Sequence, residues 1–138
     1  MSEVKFSYED AFSRSLEYFG GDELAANVAV TKYLLADGDG EYFEPTPAEM
    51  HERIADELYR IEEKYPNAMS REEIHGLLKD FEYVVPQGSP MSGIGNNQRL
   101  QSLSNCFVIE SPQDSYGGIC KTDQELVQIA KRRGGVGF

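Results

Sequence analysis

In the stretch QSLSNCFVIESPQDSYGGI, residues 101–119, a run of strand formers contains a cysteine and leads into an acidic turn. Residues 102–110 (SLSNCFVIE) alternate loosely between apolar and polar side chains and predict a buried strand. Downstream, TDQE at residues 122–125 predicts the cap of a helix that runs to about Arg132, followed by the glycine-rich turn GGVG at residues 134–137. The predicted order is therefore strand, turn, helix and glycine-rich turn.

The first 82 residues or so predict a helical region. Three segments begin with a capping residue followed three positions later by an acid, namely SYED from Ser7, TPAE from Thr46 and SREE from Ser70. A fourth segment, DELAANVAVTKYLLA at residues 22–36, has apolar residues at helical spacing. The helix after Thr46 predicts a core-facing stripe made of Met50, Ile54, Leu58 and Ile61.

The segment ADGDGEYFEP, residues 36–45, contains closely spaced acids that suggest a calcium loop. An EF-hand loop starting at Asp37 requires Gly at its sixth position and Glu at its twelfth, where this chain has Tyr42 and Ala48. The Asp-Gly pairs instead predict a turn that joins two short extended pieces. Residues 84–98 (VVPQGSPMSGIGNNQ) lack helical periodicity and predict a loop or a substrate-binding turn.

Composition limits the classes of function. The chain has 138 residues and a formal net charge of −11, from 24 acidic and 13 basic side chains, which argues against nucleic acid as a partner. No secretory leader and no apolar run long enough to cross a bilayer is visible, so we expect a cytoplasmic protein without a membrane partner. The two cysteines and two isolated histidines form no zinc motif, and we expect no metal site.

Cys106 and the residues after the last helix are the candidates for chemistry. A lone cysteine on a buried strand is usually inert packing, but here a Gly/Asn-rich loop precedes Cys106 and an Asp-Ser pair follows it. The glycines of GGVG are compatible with a helix C-cap or with backbone N–H groups that hold phosphate. The basic run KRR, residues 131–133, is likewise compatible with a favourable interaction with the helix dipole or with phosphate binding.

Taken in order, SPMSG, QSLSNCFVIESPQDSYGGI and KRRGGVG resemble the start of the catalytic barrel of ribonucleotide reductase large chains. The segment KYLLADGDGEYFEPTPAEMHERIA is similar to the helical entry region of class II, adenosylcobalamin-dependent members. The resemblance implies an α/β fold class. An N-terminal helical region at residues 1–82 would be followed, at residues 83–138, by the first strand or strands and the first helix of a ten-stranded α/β barrel that this chain leaves incomplete.

The resemblance also implies roles for individual residues. Cys106 would be one of the two redox-active cysteines that reduce the ribose C2′ position and end as a disulfide. The substrate-binding residues that it implies are Ser89, Ser92, Asn105, Gly134 and Gly135. The effector-binding residues that it implies, for a deoxynucleoside triphosphate or ATP at a dimer interface, are Asp114, Ser115, Tyr116 and Lys131. Cys120 matches no motif position and is expected to be structural or incidental.

The family's mechanism also needs a radical-forming cysteine, a second reducing cysteine, and Asn and Glu for proton transfer, which would lie beyond Phe138. The resemblance therefore implies an oxidoreductase fragment that is inactive without a complementary C-terminal reductase polypeptide. The completed enzyme would be a homodimer that uses adenosylcobalamin, a ribonucleotide substrate and a thioredoxin-like reductant. The alternatives are a non-catalytic deoxynucleotide-binding regulatory module and an unfolded gene remnant. A class I radical source also remains open, as does the choice between diphosphate and triphosphate substrates.

Overall fold

The computed structural model describes residues 4–138, which form a helical N-terminal region followed by a small β–α–β unit. The elements within this part of the chain are α1 (Tyr8–Tyr18), α2 (Glu23–Lys32), α3 (Pro47–Glu62), α4 (Arg71–Leu78), α5 (Gly88–Gly93), β1 (Cys106–Val108), α6 (Tyr116–Ala130) and β2 (Gly135–Gly137). A single 3₁₀ turn, Lys79–Phe81, follows α4 directly.

The starts of α1, α3 and α4 follow the predicted capping residues, and α2 has a cap at Asp22 that was not predicted. Ser7 accepts a hydrogen bond from the N–H of Asp10, and Asp22 accepts one from Ala25, so α1 and α2 both begin at a capped first turn. Thr46 caps α3 through the N–H of Ala48, and Pro47 occupies the first helical position, where its missing N–H costs nothing. A complete capping box between Ser70 and Glu73 opens α4. The four predicted helices are confirmed.

The hydrophobic core lies in the N-terminal helical region. Its buried apolar side chains come from α1 to α4 and the segment just after α2, and they are Ala11, Val30, Leu34, Met50, Ile54, Ala55, Ile74 and Leu78. Met91 and Ile94, in and just after α5, pack against its margin. The predicted stripe on α3 is only half right, because Leu58 and Ile61 are about 40% exposed while Met50 and Ile54 are fully buried.

The acidic segment after α2 is the predicted turn. Ala36 and Tyr42 form an antiparallel bridge across it, and Tyr42 also pairs with Phe6. The carboxylate of Asp37 accepts hydrogen bonds from backbone N–H groups of the turn and forms an ion pair with Lys5 at 2.6 Å. These contacts, led by the Lys5 hydrogen bond, lower the pKa of Asp37 to about 2. The acids of this segment therefore stabilise a turn.

The C-terminal part contains a parallel strand pair joined by a helix. β1 pairs with β2 in the register Cys106 with Gly135, Phe107 with Val136 and Val108 with Gly137, and α6 forms the crossover. This mixed arrangement agrees with the predicted α/β class at that coarse level. Adjacent parallel strands must be joined by a crossover connection, and α6 is the crossover between β1 and β2.

Three predictions for this part were wrong. The strand is three residues long instead of about nine, and its residues are exposed or half-exposed instead of buried. The last helix begins at Tyr116, six residues before the predicted cap, because Ser115 accepts a hydrogen bond from Gly118 and starts it there. The segment expected to be loop contains α5, whose first turn accommodates Pro90.

Within the described residues, no helix combines the length and the apolar character that crossing a membrane would require.

Candidate functional site

Asn105 joins three segments that are distant in sequence. Its side-chain Oδ1 accepts a hydrogen bond from the backbone N–H of Ser89 at 2.7 Å. Its Nδ2 donates to the side chain of Gln87. Its backbone carbonyl accepts the N–H of Gly135 at 2.7 Å. One residue therefore holds the start of α5 and the start of β2 next to Cys106.

The face of the strand pair that carries Cys106 is open. Alternation along β1 places Cys106 and Val108 on one face and Phe107 on the other, and Val108 is 91% exposed. Their register partners on that face are Gly135 and Gly137. The Cys106 thiol is exposed. A Cβ at Gly137, the partner of Val108, would meet nothing within 4 Å, and one at Gly135, the partner of Cys106, would meet only the Asn105 carbonyl oxygen at 3.2 Å. A ligand can approach this thiol and the neighbouring backbone together.

The opposite face is closed by packing around Gly134. A Cβ at this buried glycine would lie 2.6 Å from Ile129 Cγ2 and 2.8 Å from the ring of Phe107. No side chain fits there, so the glycine allows α6 and the Phe107 face of the strand to pack closely. Gly134 thus has a packing role, while Gly135 is the glycine that pairs with Cys106.

The two predicted substrate serines lie in α5 and are both buried. The Ser92 hydroxyl donates to the carbonyl of Gly88 at 3.0 Å and accepts from Gln101 Nε2 at 2.9 Å. Gln101 Nε2 also lies 3.3 Å from the Ser89 carbonyl, and the Gln101 Oε1 is buried without a hydrogen-bond partner in the described residues. Ser92 therefore fixes the loop to α5 through its hydroxyl. Sequence reasoning missed Gln101, for which no spacing pattern gives a signal.

A buried ion pair anchors α5 to the helical region. Arg53 of α3 pairs with Glu44, and the two side chains are only 10% and 6% exposed. The same guanidinium donates to the carbonyls of Met91, at 2.9 Å, and Ile94. Because these carbonyls lie at the end of α5, Arg53 supplies hydrogen-bond donors that the helix end otherwise lacks. The sequence pattern did not indicate this contact.

The four predicted effector residues separate into two groups. Asp114, Ser115 and Tyr116 lie together at the start of α6, where Ser115 acts as the N-cap and the Tyr116 side chain is exposed. Lys131 is at the other end of the same helix, roughly 22 Å away at 1.5 Å per residue. Within one chain, Lys131 is not part of the Asp114–Tyr116 cluster.

Two further observations concern cofactors. Within the described residues, no group of three or more His, Cys, Asp or Glu side chains is arranged to hold a metal ion. A cleft of about 510 Å³ on α3 is lined mainly by carboxylates and arginines, and Cys106 is not among its residues. Cys120 is exposed and unbridged on α6.

Comparison with known proteins gives no family for the chain. No protein-family model matches it, and neither a curated protein nor a solved structure does.

Proposed function

We propose that this chain is the N-terminal part of the catalytic chain of a ribonucleotide reductase, with Cys106 as one of its two reducing thiols. The single observation that carries the proposal is the assembly around Asn105. Ser89 and Gly135, 46 positions apart, each donate a hydrogen bond of 2.7 Å to Asn105, and Asn105 directly precedes Cys106, which pairs with Gly135. The motifs that resemble the family are therefore neighbours in space as well as in order.

The proposed chemistry requires an accessible thiol beside a surface that can hold a nucleotide. Two thiols would together give two electrons and two protons to the ribonucleotide, the C2′ hydroxyl would leave as water, and the thiols would end as a disulfide. Cys106 would supply one thiol and a cysteine of the complementary polypeptide the other. Backbone without a side chain at Gly135, the register partner of Cys106, would let the sugar approach the sulfur closely.

The open face of the parallel strand pair supports the proposal that a complementary polypeptide is needed. Parallel strands in folded proteins are normally covered on both faces and belong to larger sheets. Here one face of β1 and β2 is open, and Val108 on it is almost fully exposed. Within the described residues, no buried apolar side chain follows Leu78, so the β–α–β unit has no hydrophobic core of its own. A ten-stranded barrel built from further strands would cover this face.

The predicted substrate-binding and effector-binding residues have different roles in this proposal. Ser89, Asn105 and Gly135 remain the proposed substrate-side residues, whereas Gly134 would act indirectly because it packs against Ile129 and Phe107 on the opposite face. Ser92 would act indirectly, because both of its hydroxyl contacts are internal. Asp114, Ser115 and Tyr116 would contact a deoxynucleotide effector where two completed chains meet. Adenosylcobalamin would supply the radical in a class II enzyme.

Reconstitution with a polypeptide that carries the remaining strands of such a barrel tests the proposal. The mixture, supplied with adenosylcobalamin, a dithiol reductant and a ribonucleoside di- or triphosphate, should form deoxynucleotide. Cys106→Ser should abolish product formation, and Cys120→Ser is the matched control because it removes the other exposed thiol. Equal activity of the Cys106→Ser and wild-type chains would refute the proposal.

The regulatory alternative is decided by a separate binding measurement. A stand-alone effector module would bind a deoxynucleoside triphosphate without any complement, and Asp114→Ala would weaken that binding. We expect no such binding by the isolated chain, since Lys131 lies at the far end of α6 from Asp114.

A further inference from the structure

A small pocket, lined in part by Ser92 of α5, has more basic than acidic side chains, although the chain as a whole is acidic. Its volume is about 120 Å³, and it lies between the end of α2, the turn after α2, the loop after α5 and the end of α6. Three of its lining residues are basic, Lys32, Arg99 and Arg133, and one is acidic, Asp37. Asp37 is already paired with Lys5 at 2.6 Å, so the pocket retains an excess of positive charge.

The two arginines of this pocket differ from the other arginines of the chain. Within residues 4–138, Arg53, Arg60 and Arg71 pair with carboxylates, Arg14 lies over the ring of Phe6, and Arg132 donates to a carbonyl. Neither Arg99 nor Arg133 makes a salt bridge or a side-chain hydrogen bond within that part of the chain. Acidic side chains outnumber basic ones by 24 to 13, so unpaired arginines at one pocket stand out.

The backbone at Arg133 gives an independent sign that its side chain is needed. The N–H of Gly134 bonds the carbonyl of Ile129, and the N–H of Arg133 bonds that of Ala130, which is the Schellman arrangement at a helix end. The residue at the left-handed position of this arrangement is usually glycine, and here it is Arg133, with φ of 66°. Two glycines follow immediately, so the chain places an arginine where glycine would be less strained.

The size and donor set of the pocket define the ligand. Guanidinium groups present paired N–H donors that match the oxygens of a phosphoryl group. A volume of about 120 Å³ is well below the 300 Å³ or more of typical drug-sized ligand sites, so a nucleoside does not fit inside it. The neutral polar residues Thr31, Ser92 and Asn96 also line the pocket.

We infer that Arg99 and Arg133 form a binding site for a phosphoryl anion, taken up either as free phosphate or pyrophosphate or as the terminal group of a phosphorylated ligand. The site is separate from Cys106, which does not line the pocket, and the inference stands whether or not the chain is part of a reductase. An anion there would offset the repulsion between two unpaired guanidinium groups and tie the end of α6 to the helical region.

Titration of the chain with inorganic phosphate and with pyrophosphate, followed by calorimetry at constant ionic strength set with chloride, tests the site. The wild-type chain should bind one anion, and Arg99→Gln and Arg133→Gln should each weaken binding about tenfold or more, as expected for the loss of a charge-assisted hydrogen bond. Arg60→Gln is the control, since Arg60 pairs with Glu57 away from the pocket.

Arg133→Gly separates binding from folding. Glycine suits the left-handed backbone, so this variant should unfold at the same temperature as the wild type or higher in chloride, yet lose the phosphate response. A variant that keeps the wild-type phosphate affinity would overturn the inference, as would a wild-type chain that responds to phosphate no more than to chloride. Titration with ADP identifies the source: tighter binding than pyrophosphate indicates a nucleotide whose phosphate end enters the pocket, and equal binding indicates the free anion.

Discussion

The Oδ1 of Asn105 lies 2.7 Å from the backbone nitrogen of Ser89 and accepts its N–H, so the residue before the candidate thiol also caps α5. The first N–H groups of a helix have no partner within it, and this side chain satisfies one of them from a segment 16 positions away. Asn105 therefore helps to position α5 relative to Cys106, together with the contact between Gln101 and Ser92.

Replacing Asn105 with Leu should free the start of α5. Loss of one hydrogen bond of about 1 kcal/mol should speed amide exchange at Ser89 roughly fivefold. Asn105→Asp retains an acceptor oxygen and should keep the Ser89 amide protected, although it loses the donor to Gln87. Hydrogen exchange followed by NMR measures both. Equal exchange at Ser89 in the Leu and Asp variants would show that the Asn105 contact does not hold α5.

Gly134→Ala should loosen the packing between β1 and α6. Its Cβ would lie within 3 Å of Ile129 and Phe107, and such overpacking typically costs about 1–3 kcal/mol. Gly137→Ala is the matched control, because nothing lies within 4 Å of the added carbon. Amide exchange at Val136 should speed up in the first variant and remain within a few-fold of wild type in the second. The reverse order would contradict the proposed packing.

Breaking the buried pair of Glu44 and Arg53 should destabilise the helical region. Glu44→Gln leaves the Arg53 guanidinium buried with no carboxylate, and removing one partner of such a pair costs about 3–5 kcal/mol. Arg60→Gln breaks an exposed pair on the same helix and should cost less than about 1 kcal/mol. Urea unfolding measures both free energies. Similar losses in the two variants would mean that burial of the first pair is unimportant.

His51 should make stability depend on pH. Burial lowers the pKa of His51 below its ordinary value of 6.5; the charge of His75 acts in the same direction and that of Asp80 opposes it. Its Nε2 has no hydrogen-bond partner in the described residues, and its ring packs edge-on against Phe81 at 4.5 Å. The imidazole of His51 therefore binds a proton more readily in the unfolded chain than in the folded chain.

Neutral, buried His51 therefore contributes to the free energy of unfolding. This contribution is fully present above pH 6.5 and is lost as the pH falls through the lowered pKa that His51 has in the folded state. The free energy of unfolding of the wild type should thus fall more steeply between pH 7 and pH 5 than that of His51→Leu, which has no titrating group there. Urea unfolding at several pH values gives both slopes. Parallel slopes would show that His51 does not titrate differently in the folded state.

The helical region could be predicted from sequence because its signals are local. Ser7, Thr46 and Ser70 each bond an N–H two or three residues ahead, so a short window of sequence contains both partners. The start of α6 was missed because TDQE imitates a capping box, whereas the true cap at Ser115 is followed by two glycines that disfavour a helix. Local propensity was outweighed there by the strand pairing on either side.

The candidate site could be predicted only as a set of motifs, without its connections. The hydrogen bond from Ser89 to Asn105 and the contact of Arg53 with the carbonyl of Met91 span 16 and 38 positions. No periodic pattern links such positions, because the partners lie on segments that are far apart in sequence. The exposure of β1 could not be predicted either. Apolar strand residues give the same sequence pattern whether or not other elements pack over the strand.

If the Cys106 thiol delivers electrons to a nucleotide, its oxidation state must change during turnover. The chain and its complementary polypeptide would be reduced, freed of reductant, allowed a single turnover, then alkylated and peptide-mapped by mass spectrometry. Cys106 should enter a disulfide with a cysteine of the complement in a one-to-one ratio to the deoxynucleotide formed, while Cys120 stays a free thiol. Deoxynucleotide formed while Cys106 remains fully alkylatable would contradict this expectation.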